Sequence, residues 1–195
     1  MSYSTTLVIV KRIAIIRNSY SYDFGGGEKF PIDLALSLKN HGYEPYLLSA
    51  NKKTLHTARN LQLQAISSPW WSFQNFSGVR LLLSPLYFFW IVGVCFWYIG
   101  FILRHNIDIV YPQSRDDFIA ATLAAKLLRK RVIWTDHADL KYIFLNNEIW
   151  YKNSIGKLTY QVSKFADVIT TASNSELRLI EESLGHLAPI NFSVV

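Results

Sequence analysis

Short β-rich apolar runs alternate with segments of helical period along this chain, and that alternation leaves essentially one architecture, a parallel sheet covered by helices. The runs predict strands at Arg12 to Ile16, Glu44 to Ser49, Leu61 to Ser67, Asp108 to Tyr111, Arg131 to Thr135, Asp167 to Thr171 and Asn191 to Val195. Between the first two, Phe30, Leu34 and Leu38 share one face of a helix from Glu28 to His41, with Pro31 in its first turn and Gly42 just past its end. Ile119, Leu123 and Leu127 mark a second helix. Leu177, Ile180 and Leu184 mark a third, opened by Ser173-Asn174-Ser175-Glu176, which has the form of a capping box, and closed by Gly185.

The segment Leu81 to Leu103 stands apart: 23 residues without a charge, eight of them aromatic. Its length suffices to cross a bilayer. A crossing would put the preceding and following strands on opposite sides of the membrane, where they could not join one sheet. The expectation is therefore an apolar helical insertion at about 79–105, a helix or short hairpin broken near Pro85 and Gly93. It would lie in a membrane interface with Trp70, Trp71 and its own aromatics at headgroup depth. A helix buried against a partner is the other reading.

With 195 residues the chain fits one α/β domain, 1–195. Half the residues are apolar and 17% are charged, which argues against disorder. One cysteine, Cys95, excludes an intramolecular disulfide framework and a cysteine-rich metal site, and suits a reducing, cytosolic setting. Leu7 to Ile16 is interrupted by Lys11-Arg12 and lacks a cleavage pattern, so it reads as a strand rather than a signal peptide. The formal charge of +6 favours an anionic partner. The cluster Lys126, Arg129, Lys130 and Arg131 is either a solvated helix end or an attractor of anionic headgroups. No recognised module or stacking platform accompanies it, so nucleic acid is not expected as a partner.

After the first strand, Gly25-Gly26-Gly27-Glu28 opens a helix. Glycines there let backbone approach a ligand closely, and a helix N-terminus offers free N–H groups to a phosphate. The turn is not a dinucleotide fingerprint, nor is there a Gly-Lys-Ser/Thr phosphate loop. By residue type alone such a turn is more often a tight connection than a site.

Read together, four segments resemble family 4 glycosyltransferases. Arg12-Ile-Ala-Ile-Ile16, Gly25-Gly-Gly-Glu28, Asp33 to Leu38 and His41-Gly-Tyr-Glu44 look like that family's opening, although His-Gly-Tyr-Glu replaces the usual Gly-His-Glu-Val order. Asp108-Ile-Val-Tyr-Pro-Gln113 resembles its Asp-Val-Val-His strand. Arg131-Val-Ile-Trp-Thr-Asp-His137 resembles its Val-Val-x-Thr-x-His element, and Ala166 to Ser173 its Ala-Asp-x-Val-Ser strand.

The resemblance implies a single Rossmann-like three-layer domain with a mainly parallel sheet, the acceptor-side N-terminal half of a GT-B enzyme. Such enzymes usually retain the configuration of the transferred sugar. By the same resemblance Gly25, Gly26 and Gly27 would approach the donor diphosphate, Glu28 would sit at the cleft, and His137 would lie beside the reacting sugar, at the carboxyl end of its strand. Gln113, Ser114, Arg115, Asp136, Asp139 and Ser173 would line the acceptor rim. No cofactor and no metal is expected: the nucleotide sugar is a substrate, and Asp136 and Asp139 beside His137 are not read as ligands.

The family's paired glutamates and nucleotide-sugar pocket lie in a C-terminal domain outside these 195 residues. The expectation is little turnover by this chain alone, with a donor domain supplied in cis or in trans. The expected reaction is transfer of a sugar to a lipid-linked or envelope glycan acceptor, on a peripheral or monotopic protein at the cytoplasmic membrane face. A non-catalytic membrane scaffold, or a remnant of such an enzyme, is the alternative.

Overall fold

The described residues form seven parallel strands: β1 (Arg12–Ile16), β2 (Glu44–Ser49), β3 (Gln64–Ser67), β4 (Ile109–Pro112), β5 (Arg131–Thr135), β6 (Val168–Thr171) and β7 (Phe192–Val194). Their spatial order is β3-β2-β1-β4-β5-β6-β7, and every pairing is parallel. Among the described residues six helices connect them: α1 (Gly26–Asn40), α2 (Lys52–Asn60), α3 (Ser84–His105), α4 (Arg115–Leu127), α5 (Ser154–Ser163) and α6 (Asn174–Leu184). This computed structural model describes residues 10–18, 24–70, 84–135, 154–171, 173–184 and 192–194. The order is that of a Rossmann-like α/β domain, as the alternation of runs predicts.

The chain steps outward from β1 to β3, then returns through α3 to β4 on the other side of β1. Parallel crossovers are right-handed, so this reversal places α1 and α2 on one face of the sheet and α3 and α4 on the other. Side-chain alternation obeys the same division. Ile13, Ile15 and Leu47 pack with α1 and α2, whereas Ala14, Ile16, Leu48, Val110, Val132, Trp134 and Ile169 pack with α3, α4 and α5. Trp134 is fully buried: its ring stacks on Phe118 at 4.4 Å, and its indole N–H donates to Thr122 Oγ1 at 2.8 Å.

The apolar segment forms one continuous helix, α3, instead of the expected hairpin or broken helix. Pro85 falls in its first turn, where a missing N–H leaves no intrahelical bond unmade. Gly93 costs about 1 kcal/mol relative to alanine, and a buried stripe outweighs it. Tyr87, Ile91, Val94, Tyr98, Phe101 and Ile102 enter the core, while Leu86, Phe89, Val92, Phe96 and Leu103 face solvent. Leu86–His105 reaches a mean hydropathy of 2.1, long and apolar enough to cross a bilayer, yet 39% of that stretch is buried in the domain. The helix is thus a crossover of the sheet, apolar on both its inner and its outer face.

Two helices escape the apolar pattern. In α2 the Asn51 side chain caps the N-terminus, accepting from the N–H groups of Lys53 at 2.9 Å and Thr54 at 3.1 Å, and Leu55 and Ala58 are buried. This helix ends through Gln62 in the left-handed region, so β3 begins at Gln64 and not at Leu61. The other is α5, whose residues carry a helical period too short to stand out in sequence. Helix α1 starts two residues earlier than expected, which places Pro31 inside it. Gly42, at φ +81, terminates α1 as expected.

The amino-terminal edge of the sheet is tied by charge. Arg12 pairs with Glu44 at 2.7 Å, Lys130 with Asp108 at 3.7 Å, and Lys126 with Asp167 at 2.6 Å. Two members of the basic cluster are therefore partnered within the fold.

Candidate active site at the carboxyl ends of β1 and β4

Strands β1 and β4 are neighbours whose onward connections leave on opposite faces, which makes the crevice beyond their carboxyl ends the topological switch point of the sheet. Register pairs Ile16 with Pro112, and the Gln113 N–H continues the ladder to the Ile16 carbonyl at 2.9 Å. Alternation then sends Arg17 and Gln113 toward α1, and Asn18 toward α3 and α4.

Arg17 lies beneath the glycine turn. Its Nη1 donates to the Gln113 carbonyl at 2.7 Å, and its Nη2 stands 4.0 Å from Glu28 Oε1. A Cβ built on Gly27 would come within 2.7 Å of Arg17 Nη2, whereas one on Gly26 would meet nothing within 4 Å. Glycine at 27 gives the guanidinium room; glycine at 26 leaves open space above the first turn of α1. Glu28 is buried, and its Oε2 accepts from the Gly25 N–H at 3.1 Å. The carboxylate so completes one half of a capping box, Gly25 having no side chain for the other.

Gln113 is 1% exposed, and among the described residues neither Oε1 nor Nε2 has a hydrogen-bond partner; the same holds for Arg17 Nε. An unsatisfied buried polar group costs about 1–3 kcal/mol. A donor and acceptor pair left open beside a guanidinium and a helix N-terminus suits a ligand bearing both hydroxyl and anionic oxygen.

Below this crevice Asp117 is fully buried and saturated. It accepts from the Asn18 N–H at 3.3 Å and the Asn18 amide at 2.9 Å, from the Tyr98 hydroxyl at 2.7 Å and from the Ser114 hydroxyl. Burial raises its pKa, with the four donors acting against that shift. Desolvation and the adjacent Asp117 charge hold the Tyr98 phenol well above its usual value.

A model of the family described as Glycosyltransferase Family 4 matches residues 24–195. The chain belongs to glycosyltransferase family 4. No curated protein matches it by sequence. Among solved structures it is similar to a glycosyltransferase from Rickettsia africae, with TM-score 0.65 and 18% identity over 96% of this chain and 43% of that one. It is similar to Anabaena HepE in complex with UDP and glucose, TM-score 0.61 and 14% identity, covering 94% of this chain and 43% of that one. Acinetobacter baumannii MurG follows at TM-score 0.53 and 17% identity, over 84% and 42%. The chain spans less than half the length of these proteins, and at such identities the likeness establishes the GT-B N-terminal fold.

Within this family 4 domain the expected site residues separate. Gly25, Gly26, Gly27, Glu28 and Gln113 converge on the crevice. Ser114 is fully buried with its hydroxyl committed to Asp117, so it supports the floor instead of lining the rim. Arg115 opens α4. Ser173 follows β6, two strands from β4, with its hydroxyl 2.9 Å from that of Ser175. Asp136, His137 and Asp139 lie outside the described residues. Sequence reasoning overlooked Arg17, Asn18, Tyr98 and Asp117; a charged residue directly after a buried strand was the available signal for Arg17. It also overlooked a hydroxyl ladder at the ends of β4, β5 and β6. There the Tyr111 and Thr135 hydroxyls pair, Thr135 and Thr170 follow at 2.9 Å, and Thr170 donates to the Trp134 carbonyl at 3.1 Å.

Proposed function

We propose that this domain supplies the acceptor side of a sugar transfer from a nucleotide-sugar donor to a lipid-linked or envelope glycan acceptor, working with a donor-binding GT-B domain in cis or in trans. The observation that carries this reading is the buried Gln113 amide and the Arg17 Nε, which have no hydrogen-bond partner among the described residues, beside the open glycine turn at the switch point. Hydroxyl and anionic oxygen on one ligand would satisfy both. HepE is described with UDP and glucose bound, which supports a nucleotide sugar as donor.

In this reading the backbone of Gly25 to Gly27 faces the donor diphosphate, Gln113 orients an acceptor hydroxyl, and Glu28 holds the turn through Gly25. His137 stands beside the reacting sugar, and Arg115, Asp136, Asp139 and Ser173 complete the rim, all by family resemblance. Transfer retains anomeric configuration and needs no metal. Positioning two substrates across a cleft supplies much of the rate, so the chain without a donor half turns over little. The solvent-facing stripe of α3, Leu86, Phe89, Phe96 and Leu103, lies against the cytoplasmic membrane face and brings the crevice to a lipid-linked acceptor.

The test joins this chain to a GT-B donor half and follows labelled sugar from UDP-sugars into a membrane lipid extract. Transfer that disappears in Gln113→Leu and His137→Ala upholds the reading. Saturable membrane binding without transfer in any pairing favours a scaffold instead.

A further inference from the structure

The hydroxyl ladder at the carboxyl ends of β4, β5 and β6 has a direction fixed by its inner end. A carbonyl only accepts, so the Thr170 hydroxyl proton goes to the Trp134 carbonyl at 3.1 Å. The 2.9 Å contact between Thr135 and Thr170 is then made by the Thr135 proton, and the contact between Tyr111 and Thr135 by the phenol proton. Every donor in the row points inward, from the part-buried Tyr111 to the buried Thr135 and Thr170.

That polarity gives the outer end one kind of chemistry. The Tyr111 oxygen has its proton committed to Thr135 and makes no other hydrogen bond among the described residues, so it offers lone pairs alone. Donating into a row of hydroxyls also strengthens an oxygen as an acceptor. Tyr111 pairs in register with Ile15 and packs on the α1 and α2 core, the sheet face to which alternation also sends Gln113. Roughly 6–7 Å of strand separates the two Cα atoms. An acceptor-only phenol oxygen thus stands on the same face as an amide whose Oε1 and Nε2 are buried without a partner among the described residues. A hydroxyl suits both: its proton goes to the Tyr111 oxygen and its lone pairs take the Gln113 N–H. Two vicinal hydroxyls of one sugar ring do so equally.

We infer that Tyr111 is a specificity-determining residue whose phenol oxygen accepts a hydrogen bond from a hydroxyl of the acceptor sugar, with Thr135 and Thr170 as positioning residues that hold it in that role. A group with lone pairs alone, such as fluorine, meets lone pairs there and is disfavoured. The inference deepens the proposed reaction and rests on it for the word acceptor; the direction of the ladder does not.

The test titrates the 195-residue chain, carrying carbon-13 at the tyrosine Cζ, with the methyl glycosides of glucose, galactose, mannose and N-acetylglucosamine and with their monodeoxyfluoro analogues. Tyr111→Phe identifies the Tyr111 resonance. At least one glycoside shifts that resonance saturably, and fluorine at one of its positions weakens binding about tenfold. Thr170→Val takes away the acceptor of the Thr135 proton, which turns to the Tyr111 oxygen and releases the phenol proton outward. The preference for hydroxyl over fluorine then falls to within about twofold. Thr135→Val releases the phenol proton directly and has the same effect, whereas Thr170→Ser, which keeps the hydroxyl, retains the wild-type preference. A ladder that only ties strand ends together would lower the melting temperature of the valine variants and leave the preference untouched. No shift of Tyr111 by any glycoside, no position at which fluorine weakens binding, or a preference unchanged in both valine variants overturns the inference. No donor domain takes part, so the two readings fail separately: sugar transfer without these effects rejects the role of Tyr111 alone, and these effects without transfer uphold that role and reject the reaction.

Discussion

The Tyr98 hydroxyl donates to Asp117 Oδ1 at 2.7 Å, joining the apolar crossover helix to the polar floor beneath the crevice. Asp117 holds the end of β1 through Asn18 and the start of α4 through Ser114. A single carboxylate therefore fixes three elements that are far apart in sequence.

Removing that hydroxyl in Tyr98→Phe is expected to lower unfolding free energy by about 1–3 kcal/mol. Asp117→Ala is expected to cost more, because four donors lose their acceptor. Urea unfolding of the two single variants and the double should give a coupling of about 0.5–3 kcal/mol. Strict additivity would contradict a shared network.

The adjacent glycines should respond differently to alanine. Gly26→Ala meets no neighbour and is expected to gain up to about 1 kcal/mol from helix propensity. Gly27→Ala must displace the Arg17 guanidinium, so its stability stays near wild type while transfer by the reconstituted enzyme falls about tenfold or more. Thermal melts and initial rates on the same preparations measure both effects.

Gln113→Leu should be more stable than wild type by up to about 1–3 kcal/mol, since it removes two buried polar atoms that lack partners. The same variant should lose acceptor binding. A drop in melting temperature would mean that the amide is satisfied within the fold and is not reserved for a ligand.

On α3, Phe89 is 77% and Phe96 68% exposed. Phe89→Lys with Phe96→Lys is expected to leave stability within about 0.5 kcal/mol per site and to abolish co-flotation with vesicles. Tyr87→Ala, on the buried side of the same helix, should instead destabilise the domain. Vesicle binding that survives the double substitution removes α3 from the membrane-facing surface.

Acid should unfold the domain partly through the amino-terminal edge. Hydrogen bonds from Arg12, Tyr46 and Gln64 lower the Glu44 pKa against burial. Burial raises that of Asp167, but Lys126 and the Val132 N–H outweigh it and lower the value overall. A lowered folded pKa gives stability that is present above the unfolded value, about 4, and lost as pH falls through the folded one. Asp117, raised by burial, has the opposite sign: its contribution is present at low pH and fades as pH rises through its folded value. Glu44→Gln with Asp167→Asn should flatten the fall in melting temperature between about pH 6 and pH 3.

Much of this was legible in the sequence. Arg12 to Ile16, Glu44 to Ser49 and Arg131 to Thr135 are strands at the expected residues, because strands buried on both faces read as near-continuous apolar runs. The place of the glycine turn and Gln113 at the carboxyl edge of the sheet was legible through their motif and their position after a strand. Helix α2 was not, since Asn51, Lys52 and Lys53 look like a loop until the Asn51 cap is seen. The continuity of α3 was hidden for a related reason: Pro85 and Gly93 break helices only where packing does not overrule them.

The sequence by itself determined the alternation of strands and helices, hence the parallel sheet, and through its motifs the glycosyltransferase family. Period and composition suffice for that because they reflect local backbone preference and one-dimensional burial. Only the tertiary structure decided that Arg17 sits under Gly27, that Asp117 binds Asn18 across 99 residues, that the Gln113 side-chain amide has no partner among the described residues, and that one face of an apolar helix is core. Those facts depend on which strand lies beside which, and strand order arises from the reversal of the chain at β1, which no local pattern encodes.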